Sequence, residues 1–127
     1  MTGFDAVNKV YDELSLLTLS LQGGIYQFAK PATIEEPEFI VINVLPVPET
    51  VLQKTHVNLN IFVQDVAPGT PDNGRLSELL NEVYSQFPFG KAGDDIQVFK
   101  ERTAIIEDGD YERHYVNVRL TVLSLNN

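Results

Sequence analysis

The run Phe39–Leu45, "FIVINVL", constrains this chain more than any other stretch. Its residues are β-branched or aromatic and nearly all apolar. Alternation of period two is absent, so a strand made of them is buried on both faces and belongs inside a sheet. Pro37 precedes it, and Pro46 and Pro48 end it, because proline cannot donate to a β-ladder. Whatever else the chain does, it must cover two faces of this strand.

The chain has 127 residues, enough for a single domain (1–127) with one core. Hydrophobic residues make up 43%, which favours a packed fold over disorder. The longest apolar run, Phe39–Val47, is interrupted by Asn43 and Pro46 and falls short of the roughly 18–20 residues of a membrane span. No membrane partner is expected. The first residues, with Asp5 ahead of the first lysine and no long apolar stretch, do not read as a signal peptide.

The remaining elements follow from periodicity. Phe4, Val7, Tyr11, Leu14, Leu17 and Leu21 recur at steps of three and four, one face of a helix over 4–21. Thr2 is its expected N-cap, and Gly23 or Gly24 its left-handed terminator. Ile25–Phe28 suits an edge strand. Residues 55–65 alternate, Val57, Leu59, Ile61 and Val63 on one face and His56, Asn58, Asn60, Phe62 and Gln64 on the other. The turn-rich "APGTPDNG" (67–74) leads to a second helix, capped by Asp72 or Asn73. Its apolar stripe is Leu76, Leu79, Leu80, Val83, Tyr84 and Phe87, and Pro88 stops it.

The last third reads as a β-hairpin over 95–106 and 110–125. A three-residue loop, Glu107–Asp108–Gly109, pairs 98 with 118 and 96 with 120 and puts Ile96 and Val98 on the apolar face of Val116, Val118, Leu120 and Val122. A bulge elsewhere would change that count. The expected fold is α+β in the order α-β-β-β-α-β-β, with a mostly antiparallel sheet and both helices on one face.

Chemistry is sparse. The chain has no cysteine, which excludes thiol catalysis, disulfides and thiolate metal sites. Its two histidines, His56 and His114, lie in expected strands without metal-ligand spacing and read as structural or surface residues. "EDGDYE" (107–112) lacks the spacing and closing glutamate of a calcium loop. No serine stands in a Gly-x-Ser-x-Gly elbow. The glycine pair in "LQGGIYQFAKP" follows a helix instead of opening one, so the free groups there are carbonyls, which repel phosphate. No catalytic residue, cofactor or metal is expected. The net charge of −9, from 18 acids and 9 bases, opposes wrapping of nucleic acid and favours solubility.

The order of parts resembles the tail terminator, tail-completion and head–tail connector proteins of tailed phages. The features that carry the likeness span nearly the whole chain. They are "VYDELSLLTLSL", the "GGIYQFAKP" turn, "FIVINVLPV" after Pro37, "HVNLNIFVQD", "RLSELLNEVYSQF" and a long closing hairpin. The resemblance implies an α/β sandwich-like fold and a virion protein of the neck or tail. It implies a homo-oligomeric ring, commonly a hexamer or dodecamer, set around the DNA channel between portal or connector and tail-tube proteins. Genomic DNA would pass through the lumen without specific binding. The family has no catalytic motif. The insertions "APGTPDNG" and "PVPETVLQK" leave open which member of the group this is.

Two segments are candidate contacts with a neighbour. One is the proline-stiffened loop with Pro46, Val47, Pro48, Val51 and Leu52. The other is the hairpin tip with Asp108, Asp110 and Tyr111. The competing readings are a protein-binding adaptor, which would use the same loop or a sheet edge, and a small hydrolase or isomerase, which would need a histidine beside a carboxylate in a pocket.

Overall fold

The structure, a computed structural model, describes residues 2–16, 19–29, 36–44, 54–86, 96–108 and 113–124, with backbone alone at 86, 96–97, 99–108 and 124. It is an α+β fold in the expected order: α1 (Gly3–Ser15), β1 (Ile25–Gln27), β2 (Glu38–Val44), β3 (Lys54–Gln64), α2 (Asn73–Gln86), β4 (Ile96–Asp108) and β5 (Arg113–Ser124). The strands form one sheet in the order β1-β2-β3-β5-β4. β1 runs parallel to β2, and the other pairings are antiparallel.

Both helices lie on one face. Ala6, Val7, Val10 and Leu14 of α1 and Leu76, Leu79 and Val83 of α2 are buried against Ile40, Ile42, Val57, Leu59, Ile61, Val116, Val118, Leu120 and Val122. At about 25 cal/mol per Å² of apolar surface removed from water, this layer dominates stability. β2 is interior, as its composition requires. Phe39 and Val41 point away from the helices, where they bury Phe62 with Tyr26 and Tyr115 at the margin.

The helix starts follow their capping chemistry. Thr2 Oγ1 accepts from Asp5 N at 3.1 Å while Asp5 Oδ2 accepts from Thr2 N at 2.8 Å, a capping box. Asp72 Oδ1 accepts from Arg75 N at 3.1 Å and caps α2.

Several expectations are corrected. α1 stops at Ser15, with Leu16 as C-cap, and does not reach the glycines. Leu21, the last of the expected stripe, still packs on the core from a non-helical segment, as does Leu19, while Leu17 lies outside the described residues. Phe4 is 64% exposed and not part of the buried stripe.

Gly23 and Gly24 are not left-handed; among the described residues positive φ occurs at Phe28 and Gly69. Gly23 is required by close approach instead. A Cβ there would overlap the Glu38 carbonyl oxygen and the Glu36 carboxylate.

The hairpin register also differs. Val98 pairs with Val122, not with 118, and Ile96 with Ser124. Asp108 pairs with Arg113, so 109–112 make the connection in place of a three-residue loop. The even-length connection would put Val98 on the wrong face, but a bulge between Lys100 and Arg102 restores the phase. Val98 is fully buried in the helix-side core.

Candidate functional site

The sheet face turned away from the helices carries most of the unusual chemistry. Alternation along β3 and β5 sends Phe62 and Tyr115 to that face near one end, and Asn58, Asn60, Asn117 and Arg119 to its middle. Phe39, Phe62 and Tyr115 stack in sequence across β2, β3 and β5, each pair of ring centroids 4.6 Å apart. Tyr26 meets Phe39 edge-on at 6.3 Å. Such pairs add about 0.5–1.5 kcal/mol each beyond area burial. Arg113 lies with its guanidinium carbon 5.5 Å from the Phe39 centroid, and it donates to the Glu36 carbonyl at 3.0 Å.

Beside the aromatic row stands a row of amides. Asn117 Nδ2 donates to Asn60 Oδ1 at 2.7 Å and approaches Asn58 Oδ1 at 3.4 Å. His56 follows, its Nδ1 3.4 Å from Thr121 Oγ1. Arg119 sits between Asn58 on β3 and Arg102 on β4. The Arg119 Nε is buried and has no hydrogen-bond partner.

The helix-side rim holds an ionic cluster. Arg75 Nε donates to Glu38 Oε2 at 2.5 Å and an Nη to Glu38 Oε1 at 2.7 Å. The same guanidinium donates to the Ser20 carbonyl at 2.7 Å. Glu82 accepts from Ser20 N at 2.6 Å. Arg75 thereby clasps the segment after α1 to β2 and α2. Its hydrogen bonds hold the Glu38 carboxyl below its ordinary value despite burial, and Ser20 does the same for Glu82. Glu36 receives the Tyr26 hydroxyl and Gly24 N, and its hydrogen bond to the phenol, more than burial or its charge, pushes Tyr26 up.

His114 Nδ1 lies 2.7 Å from Asp65 Oδ1, with both side chains largely buried. This brings a histidine to a carboxylate, the arrangement a hydrolase would need. Among the described residues, no hydroxyl hydrogen-bonds its other ring nitrogen. Among the described residues, no three His, Cys, Asp or Glu side chains are placed to hold a metal ion.

Of the sequence-based contact candidates, Asp108 ends β4 opposite Arg113. Pro46, Val47, Pro48, Val51, Leu52, Asp110 and Tyr111 lie outside the described residues. The Arg75 clasp and the His114–Asp65 pair had no local signal, because their members are far apart in sequence. No described helix is long and apolar enough to cross a membrane.

No protein-family model and no curated protein sequence matches this chain.

Proposed function

We propose that this protein is a structural ring subunit of a tailed phage, in the neck or tail. There it joins head and tail or caps the tail around the DNA channel, with no turnover of its own. The observation that carries the reading is the open sheet. β4 is 13 residues long, and among the described residues a strand pairs with one side of it only. At the opposite end stands β1, a strand of 3 residues running parallel to its neighbour. Edges so unlike each other suit heterologous contact between copies, which makes rings where the rotation between copies closes. An unpaired edge of that length is otherwise an aggregation hazard.

The net charge of −9 supports the same reading, since an acidic assembly lets DNA slide past without holding it. The partners would be the portal or connector ring on one side and the tail tube on the other.

Electron microscopy and sedimentation of the purified protein test the proposal. Closed hexamers or dodecamers are expected, and particles made without the protein should carry unjoined heads or tails of irregular length. A protein that stays monomeric, with normal virions assembled in its absence, would sink the idea. The same edge, unpaired among the described residues, favours a second reading, an adaptor that adds a partner's strand to β4. That protein would remain monomeric and bind an extended peptide.

A further inference from the structure

Phe4 and Phe28 are 64% and 40% exposed, yet their rings meet at 5.2 Å, so two large apolar side chains form one surface patch. Phe28 has a φ of 74°. Ala29 N donates to Gln27 O at 3.0 Å across it, which closes a γ-turn of the rare, strained kind. A bulky residue in that region is an outlier, and such strain gathers at positions that have a use. The fold holds the turn firmly. Phe28 N donates to Ile42 O at 2.7 Å. Gln27 Nε2 donates to Asn8 Oδ1 at 2.7 Å, one helical turn along α1 from Phe4. Helix and strand are thus clipped together beside the aromatic pair.

We propose that the Phe4–Phe28 pair is the aromatic anchor by which one copy of this chain holds the β4 edge of the next. The inference rests on the ring reading and names the surface that makes its contact. The patch stands at the β1 end of the sheet. That edge has little backbone to offer. β1 is 3 residues long, Gly24 O and Phe28 N are engaged with β2, and the γ-turn occupies the Gln27 carbonyl. A contact there must come from side chains, and aromatic residues are the common anchors of subunit interfaces. The occupant is a second copy because the two sheet ends are complementary in kind. β4 offers 13 residues of edge, with a strand on one side only among the described residues. Patch meeting patch would make a two-fold pair and leave β4 unused, whereas patch meeting β4 uses both ends and repeats from copy to copy. Holding the rings in place beforehand lowers the ordering cost of association.

The test is sedimentation of the full chain over a concentration series, with melting curves alongside, for the parent, Phe4→Ala and Phe28→Gly. Glycine takes a positive φ without strain, so Phe28→Gly should melt at or above the parent's midpoint. Each variant should nonetheless raise the concentration for half-assembly about thirtyfold, as loss of an interface anchor does. A photoreactive benzoylphenylalanine in place of Phe28 should cross-link to residues 96–108 of another copy. A parent that stays monomeric overturns the ring reading and this inference with it. Rings that assemble equally well in both variants overturn this inference alone, and a lowered melting midpoint with assembly intact does the same by assigning the pair to the fold. So does cross-linking of position 28 to residues 1–29 of another copy, the mark of a two-fold pair.

Discussion

Arg75 holds Glu38 through both carboxylate oxygens, at 2.5 and 2.7 Å, across the junction between α2 and the first residue of β2. Glu38 is 5% exposed. The pair thus ties the start of the interior strand to the start of the second helix, and Ser20 is drawn in through the same guanidinium.

Removing one partner strands the other. Arg75→Ala is expected to cost about 3 kcal/mol, because it leaves the Glu38 carboxylate buried and uncompensated. The double variant Arg75→Met with Glu38→Leu should recover most of that loss, since well-packed apolar residues replace buried ion pairs at little cost. Urea unfolding of the parent, both single variants and the double variant measures the cycle.

Acid should act on the same junction. The Glu38 carboxyl is held below its ordinary value when folded, chiefly by the Arg75 hydrogen bonds. A depressed carboxyl contributes stability that is fully present above its unfolded pKa, about 4.3. That contribution disappears as pH falls through the folded value. The melting midpoint should therefore drop below about pH 4.5, and Glu38→Gln should flatten that part of the profile. Melting curves between pH 3 and 7 decide it.

The two adjacent glycines should respond unequally to alanine. At Gly23 the added Cβ meets the Glu38 backbone, which cannot move without shifting β2. At Gly24 it meets the Tyr26 ring at 2.9 Å, part of a side chain that can turn aside. Gly23→Ala should cost about 2–3 kcal/mol and Gly24→Ala under about 1. Equal losses in chemical denaturation would contradict the close-approach account.

Deleting Glu101 tests the bulge. Without it, either Val98 turns away from the helix-side core or the 109–112 connection must be rebuilt. The loss should exceed about 3 kcal/mol, comparable to removing a core side chain outright. Amide exchange across β4 locates the damage, which should centre on Ile96–Lys100.

Particular elements show how far local sequence carries. Thr2 and Asp72 were legible as caps because capping is a contact within four residues. β2 was legible as interior because no polar residue but Asn43 interrupts it. The end of α1 was not legible. Leu21 keeps the helical spacing of Leu14 and Leu17 while packing on the core from a non-helical segment, so burial imitates periodicity. The hairpin loop departs from its expected length because the bulge moves the phase in the middle of β4, where no glycine marks it. The parallel direction of β1 rests on the fold, not on three residues. His114 and Asp65 lie 49 residues apart, so no spacing rule joins them.

The strand order has a consequence for synthesis. β3 lies in the middle of the sheet, yet its partner β5 is the last strand made. Until β5 arrives, β3 offers one unpaired side along 11 residues rich in valine, leucine and isoleucine. The β4–β5 hairpin is local and closes cheaply, whereas docking it on β3 must span all of α2. A nascent chain of this kind passes through a sticky half-sheet, and a fragment ending at Gln86 should precipitate where the full chain does not.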